Sequence, residues 1–334
     1  MKINKHPLVS IVMAAYNEEH YIKESIDSIL NQTYTKFEFI IINDGSTDRT
    51  EEIIKSFNDQ RIIYIKNESN LKLINSLNKG LALAKGELIA RMDADDIAYP
   101  FRIKRQVEFM CNNPDIGISG SQLVLFGGDH GLMNYPLIHK EIMLKLFISS
   151  CFGNNVVIFR KEILLENNLF YSEGYLHAED YKSWTKWIFK TKAANLLEPL
   201  VKYRVHNNSI STKYTKIQRE TRNRVRLEYI QELFNCKEND RLKYLNSTSS
   251  IAKINAFREL IRLNYKKDLF TRKELKAVLN QLWYLDVLEE SEKSILVFFK
   301  FSLIFLFSFE SNFKKWIYVF KHIILIKVRL VRRL

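Results

Sequence analysis

Glu87-Leu-Ile-Ala-Arg-Met-Asp-Ala-Asp-Asp96 is an apolar run that ends in three carboxylates. Gly86 precedes it and Pro100 follows soon after, so it reads as a short strand that delivers an acid cluster at its C-terminal end. Three acids at one strand end repel each other. A hard divalent cation such as Mg²⁺ or Mn²⁺ relieves that repulsion, taking one or two carboxylates and filling its other positions with water and phosphate oxygens. The run therefore points to a metal–diphosphate site, with a solvated Asp-rich turn as the competing reading.

Working outward, the first hundred residues alternate between two periods. Leu8–Ala14, Phe37–Ile42 and Ile62–Ile65 are short, continuously apolar runs suited to buried parallel strands. Between them, Tyr21/Ile22, Ile26 and Ile29/Leu30 fall at helical spacing, as do Ile53, Ile54 and Phe57, and then Leu73, Leu77, Leu81 and Leu83. Asp48 with Glu51 three residues on resembles a capping box for the second of these helices. Strand–helix alternation of this kind predicts an α/β fold: a mainly parallel sheet with helices on both faces. Ligands on such sheets bind beyond the carboxyl ends of the strands, which puts Ala14–Glu18, Asn43–Ser46 and Asp93–Asp96 along one rim.

The middle of the chain is mixed. The patterns predict a helix over Arg102–Asn112, a hairpin around Gly127-Gly128, a strand over Val156–Arg160, an aromatic helix over Asp180–Thr191 and a strand over Leu196–Val205. Beyond Tyr214 the pattern is helical and free of glycine, so a domain of residues 1–213 is expected to be followed by a helical C-terminal region of residues 214–334.

Charge and cysteine usage narrow the setting. The 334-residue chain carries a formal net charge of +13, which favours an anionic partner. Five Lys and three Arg stand against one Glu in Ser294–Leu334, so much of the excess lies in the tail. There, Ile295–Phe309 is intensely apolar but too short for a transmembrane helix, which needs about 20 residues. Trp316, Tyr318 and Phe320 then mix with Lys314, Lys315, Lys321 and Arg329, Arg332 and Arg333. That composition suits an interfacial helix on an anionic membrane surface better than nucleic acid; a helix packed on the protein's own core is the alternative. Cys111, Cys151 and Cys236 are scattered, with no zinc-ligand spacing and an odd count, as expected of a reducing cytosol. The polar N-terminus runs straight into a strand, so no signal peptide is expected, and the Asn-x-Ser/Thr matches at Asn31, Asn67, Asn207 and Asn246 are read as chance. No glycine occurs before Gly45. That excludes a dinucleotide fingerprint, a Walker A loop or a nucleotidyltransferase Gly-rich loop after the first strand. No GxSxG elbow or HExxH helix is present.

Five segments, read together, carry more than any one of them: Val9-Ser-Ile-Val-Met-Ala-Ala-Tyr-Asn-Glu18, Ile42-Asn-Asp-Gly-Ser-Thr-Asp48, Ala90-Arg-Met-Asp-Ala-Asp-Asp-Ile-Ala-Tyr-Pro100, Glu179-Asp-Tyr-Lys-Ser-Trp184 and Leu200-Val-Lys-Tyr-Arg-Val-His206. Their order and spacing resembles glycosyltransferase family 2, the GT-A fold sugar-nucleotide transferases, over roughly residues 7 to 212. The resemblance implies roles position by position. Ala14, Tyr16 and Glu18 would lie at the base and ribose. Asp44 would accept the N–H of a pyrimidine, and Lys72 would stand near the nucleotide. Asp93, Asp95 and Asp96 match the DxD-type site that holds the diphosphate through Mg²⁺ or Mn²⁺. His206 matches a late His that helps hold the metal or diphosphate. Asp180, beside Glu179, matches the catalytic base, and a single displacement would invert the anomeric centre.

Three departures from the family pattern stand out. Asn43 replaces the first Asp of Asp-Asp-Gly-Ser; Asn70-Leu-Lys-Leu lacks a glycine often found there; and Gly153-Asn-Asn155 replaces a His-Pro-Thr type segment on the acceptor side. The resemblance implies a cytoplasmic enzyme, peripheral on the inner face of the cell membrane. It would move a sugar from a nucleotide-sugar, UDP-linked, to a saccharide or lipid-linked glycan in surface-polysaccharide synthesis. The alternatives are transfer to a polyprenyl phosphate and a non-catalytic sugar-nucleotide-binding protein.

Overall fold

The structure is a computed structural model and describes residues 6–206, 215–236, 241–246 and 250–291. Among the described residues nine strands form one sheet, and its first four strands build the rim that matters. These are β1 (Val9–Ala15), β2 (Phe37–Asn43), β3 (Ile62–Lys66) and β4 (Leu88–Asp93), in the order β3-β2-β1-β4. All three pairings within this set are parallel. The register aligns Ala14 with Asp93 and Ala15 with Asn43, so the loops after β1, β2 and β4 leave the sheet side by side.

The strands are apolar throughout because both faces are covered. On one face Ile11, Met13, Ala90 and Met92 pack with Ile22, Ile26 and Ile29 of α1 (Ile22–Leu30) and Ile103, Val107 and Met110 of α4 (Arg102–Asn112). On the other, Val12 meets α3 (Leu73–Leu83) so closely that a Cβ on Gly80 would lie 2.5 Å from Val12 Cγ1. Only glycine lets the helix approach that near.

Beyond β4 the sheet becomes mixed. The remaining strands are β5 (Ile97–Ala98), β6 (Ile116–Gly127), β7 (Gly131–Met133), β8 (Ile158–Arg160) and β9 (Lys192–Val205). The order continues β4-β8-β6-β9-β5, with β7 on β6 as the expected hairpin. β8 is antiparallel to both β4 and β6, while β6 and β9 run parallel through several register irregularities. β5 follows the acid cluster directly and pairs with β9, which brings Lys202 opposite Ile97 and leads the chain toward His206. The strand expected at Val156–Arg160 starts late, because Asn154–Val156 forms a 3₁₀ turn. The strand expected at Leu196–Val205 starts four residues early, on an Ala-Ala-Asn segment with little strand signature of its own.

Three further helices complete the site: α5 (His139–Lys145), α6 (Lys161–Glu166) and α7 (Glu179–Trp187). The aromatic helix thus begins one residue before its expected start and ends at Trp187, the next residues turning into β9. The capping box expected at α2 (Thr50–Lys55) is half formed. Asp48 accepts the Thr50 N–H at 3.0 Å, but Glu51 is drawn instead to Lys55 and Lys66 at 2.6 and 2.5 Å.

The chain divides into two compact units, Met1–Tyr229 and Ile230–Leu334, and α8 (Thr215–Phe234) contributes to both. The second unit contains α9 (Ser250–Lys267) and α10 (Arg272–Ser291). Asn264 bridges the intervening turn through both backbone groups of Phe270, and Thr271 with Glu274 forms a capping box that starts α10. Among the described residues no helix is long and apolar enough to cross a membrane. The basic aromatic tail of residues 294–334 lies outside the described residues.

Candidate active site

The loops after β1 and β2 are laced into one surface. Asn17 N donates to Ser46 Oγ at 3.1 Å, Thr47 N to Asn17 Oδ1 at 2.9 Å, and Glu18 N to Thr50 Oγ1 at 2.8 Å. Tyr16 stands out from this surface, 43% exposed, at the end of β1 beyond Ala14. A flat ring held proud of a rigid loop suits stacking on a base.

Asp44, at the end of β2, is buried. Its Oδ1 accepts from Asn67 Nδ2 at 2.8 Å and from Leu71 N at 2.9 Å. Asn67 is tied in turn to Ser76 Oγ and, through its Oδ1, to Lys79 Nζ at 2.7 Å. Lys79 can only donate, so the amide must turn its N–H groups toward Asp44. The sequence flagged Asn67 only as a chance glycosylation match; it is 2% exposed and belongs to the Asp44 cradle. Asn43, the family's missing Asp, makes an Asx-type turn by accepting the Ser46 N–H at 3.0 Å. Gly45 that follows has φ +72°, and a Cβ there would lie 2.7 Å from the Ser69 backbone. Lys72, exposed at the start of α3, also has positive φ, at 72° with ψ 158°. That region is essentially glycine's, and a non-glycine residue in it costs about 1–3 kcal/mol. Lys72 thus holds a glycine-like conformation within the segment that lacks the family's glycine.

The acid cluster splits by role. Asp93 pairs with Arg91 Nη1 at 2.5 Å. Asp95 Oδ2 lies 3.1 Å from His206 Nε2, with the His206 ring 4.9 Å from the Tyr21 ring. Asp96 turns inward instead. It is 0% exposed, with Oδ1 accepting from Arg204 N at 2.8 Å and Oδ2 from Asn155 Nδ2. Asp96, expected to ligate a cation, has its carboxylate held in a brace between β9 and the 3₁₀ turn. Asn155, in the segment that departs from the family pattern, is the partner that seals it. Arg204 strengthens the brace through Nε to the Asp95 carbonyl at 2.7 Å, its guanidinium between the Tyr21 and Phe126 rings.

Negative charge gathers here without full compensation. Burial, then Asp95, Asp93 and Asp48, push the Glu18 carboxyl up to about 8. Burial and Asp93 also raise Asp95. Among the described residues no three His, Cys, Asp or Glu side chains converge as a ready cation cage. Asp95 with His206 is a two-residue set, as fits a cation that draws its remaining ligands from phosphate and water.

Asp180 and Glu179 occupy the first turn of α7, away from the acid cluster in sequence. Both are half-buried. Burial, then Asp180, push Glu179 up to about 7, and burial raises Asp180. Asp93 bears on both from the end of β4, so the pair lies within electrostatic reach of the acid cluster. Trp184 and Trp187 are core, packed edge-on against each other and against Phe152 and Phe159. Residues 172–178 ahead of α7 are pinned to α8: Tyr175 OH donates to Glu228 at 2.9 Å and is flanked by Lys182 and Arg224.

Comparison with known proteins agrees with this geometry. The family described as glycosyl transferase family 2 matches residues 10–164. An uncharacterized glycosyltransferase of Haemophilus influenzae is 38% identical over 323 residues, covering 92% of this chain and 95% of that protein. The UDP-Glc:alpha-D-GlcNAc-diphosphoundecaprenol beta-1,3-glucosyltransferase WfgD of Escherichia coli is 30% identical over 64% of this chain and 83% of its own length. Among solved structures, S. aureus TarS 1-349 in complex with UDP-GlcNAc superposes with a TM-score of 0.57 at 18% identity, covering 87% of this chain and 89% of that one. This likeness establishes the GT-A fold.

Proposed function

Because the chain belongs to glycosyl transferase family 2, we propose that it transfers one sugar from a UDP-sugar to a hydroxyl of a lipid-linked saccharide, with inversion at the anomeric carbon. One observation carries the reading. The Asp44 cradle and the Asp95–His206 pair stand at the ends of the parallel strands β2 and β4, and the Glu179–Asp180 pair lies within electrostatic reach of Asp93, which supports a common site.

Asp44 selects the base. Two donors hold its Oδ1, which leaves Oδ2 to accept a ring N–H of the kind uracil presents; a base with an acceptor there would face oxygen with a lone pair. Tyr16 would stack on the ring, with Ala14 and Glu18 beside the ribose. Asp95 and His206 would hold Mg²⁺ or Mn²⁺, with Asp93 at the same edge. When bound, the cation supplies charge neutralisation for the leaving diphosphate. Asp180 takes the proton from the acceptor hydroxyl while that oxygen bonds to the anomeric carbon. The bond to the diphosphate breaks, and its electron pair departs with the nucleoside diphosphate. General-base help of this sort contributes about 10²–10⁴-fold.

The acceptor class is supported by the similarity to WfgD, whose name specifies a diphosphoundecaprenol-linked acceptor, and by the basic aromatic tail. That tail would place the enzyme at the inner face of the membrane, peripherally and on anionic lipid. The test is a panel of UDP-, GDP- and CDP-sugars with Mn²⁺ and a diphospholipid-linked saccharide, the linkage read by NMR. A UDP-sugar is expected to be consumed and inverted. Preference for a GDP- or CDP-sugar, or retention, would overturn the reading.

A further inference from the structure

The first half of α8 is built into the surroundings of the Glu179–Asp180 pair. Gln218, Arg224, Arg226, Glu228 and Tyr229 belong to the first compact unit, as α7 does. Glu228 is the centre of the contact. Its Oε2 accepts from Lys182 Nζ at 2.6 Å and from Tyr175 OH at 2.9 Å. Lys182 is 8% exposed and stands on α7 two residues after Asp180. Two residues turn a helix by about 200°, so Lys182 leaves α7 on the side opposite Asp180. Glu228 therefore grips α7 from behind the pair.

The same helix holds the backbone on either side. Ahead of α7, Gly174 and His177 have positive φ, at +82° and +61°. A non-glycine residue such as His177 keeps that conformation only where its surroundings over-determine it. Helix α8 supplies them: Arg224 Nη2 donates to the Gly174 carbonyl, and Gln218 Nε2 to the His177 carbonyl at 3.1 Å. In front of the pair, Ser150 hydrogen-bonds Asp180. The segment leading to Ser150 is fixed by Tyr229 OH on the Met143 carbonyl at 2.9 Å and Arg226 Nη2 on the Ile148 carbonyl at 3.0 Å. For stability alone, a buried Lys–Glu pair is a poor choice, because apolar side chains of similar volume are often as good or better. What the charged pair adds is one fixed register of α7 against α8.

We propose that Glu228 is a positioning residue of the transfer reaction: through Lys182 and Tyr175 it fixes the first turn of α7, and so the Glu179–Asp180 pair, against the segment that carries Ser150. The inference rests on the reading of this pair as the base.

The test uses the full-length protein with the UDP-sugar and diphospholipid-linked saccharide of the panel above. Glu228→Gln keeps the shape and removes the charge that Lys182 meets. Its kcat is expected to fall about 10–100-fold, with UDP affinity by calorimetry within about twofold of the original, since a small displacement of a reacting group is costly even when caused from a distance. In the double variant Glu228→Gln/Lys182→Met the fall is expected to be no larger than in Glu228→Gln alone, because both changes cut one contact. Hydrogen exchange reads that contact without substrate: amides of residues 174–182 in the ligand-free protein are expected to exchange about tenfold faster in Glu228→Gln. A lower melting temperature with kcat unchanged well below it makes the pair purely structural and overturns the proposal. So does UDP affinity that falls in step with kcat, additive losses in the double variant, or unchanged exchange over residues 174–182. If Glu228→Gln does not fold, Tyr175→Phe, which deletes one hydroxyl, makes the same comparison, with about threefold lower kcat expected and an unchanged kcat overturning it. Asp180→Asn and Glu179→Gln run alongside separate the two readings. Transfer lost in either, with Glu228→Gln unaffected, removes the role of Glu228 alone. Transfer kept in both removes the pair as base, and the role of Glu228 with it.

Discussion

Asp44 and Asp180 are both carboxylates with a role in the proposed transfer, but their surroundings differ in kind. Asp44 lies in a cradle of donors: the Asn67 amide, itself aimed by Lys79, and the Leu71 N–H. Asp180 lies half-buried beside a second carboxylate, with burial as the largest influence on it. The first arrangement spends hydrogen bonds to hold one oxygen still, which suits recognition of a fixed partner. The second leaves the carboxylate ready to take up a proton, as a base must. On the proposed roles, recognition and reactivity ask opposite things of the same chemical group, and separate parts of the chain supply them.

The largest expected effect falls on the reactive side. Asp180→Asn should lower transfer by about 10²–10⁴-fold while leaving UDP affinity, measured by calorimetry, within about twofold; a comparable loss of UDP affinity would move Asp180 to the recognition side of the comparison. On the recognition side, Asp44→Asn should raise the KM for the donor about 10–100-fold with little change in kcat, since a charge-assisted hydrogen bond is worth about 1.5–3 kcal/mol. A fall in kcat with unchanged KM would merge the two sides.

A pH series sharpens the contrast. With Glu179 pushed up to about 7 and Asp180 raised, transfer should decline as pH falls through neutrality. Stability should move the other way. A carboxyl whose value is raised on folding stabilises the fold fully below its ordinary value, and that contribution is lost as pH rises through the raised one. The melting temperature of the ligand-free protein should therefore increase from pH 8 to pH 5. Parallel rather than opposed trends would show that the pair is not strained in this way.

The smallest effect concerns Lys72. Its glycine-like backbone predicts that Lys72→Gly gains up to about 1 kcal/mol by relief of strain. Any accompanying rise in donor KM would show what the lysine contributes to nucleotide binding; an unchanged KM would make it a tolerated surface residue.

Legibility in the sequence followed the range of the interactions. The four parallel strands and their helices were readable because burial on both faces writes continuous apolar runs, and the rim rule then brought Ala14, Asp44 and Asp93 together before any coordinates. The later strands were harder. β9 begins in an Ala-Ala-Asn segment that owes its strand state to pairing with β6, and β5 is two residues long and exists because β9 lies beside it. Asn67 carried no signal of role, and Asn155 and Arg204 lay within noted segments without an assigned role, because each acts through a partner distant in sequence.

The amino-acid sequence by itself determined the α/β order, the family, and which carboxylates would crowd one edge, since these follow from local periodicity and from motifs at strand ends. Only the tertiary structure decided how those carboxylates divide the work. Asp95 meets His206 and Asp96 is sealed by Asn155 and Arg204 because β9 returns past the acid turn. Asp180, distant from Asp93 along the chain, comes within its electrostatic reach only in the folded protein. Adjacent residues in one acid cluster have the same composition and neighbours along the chain; burial and long-range partners, which set their charge and reach, come only with the fold.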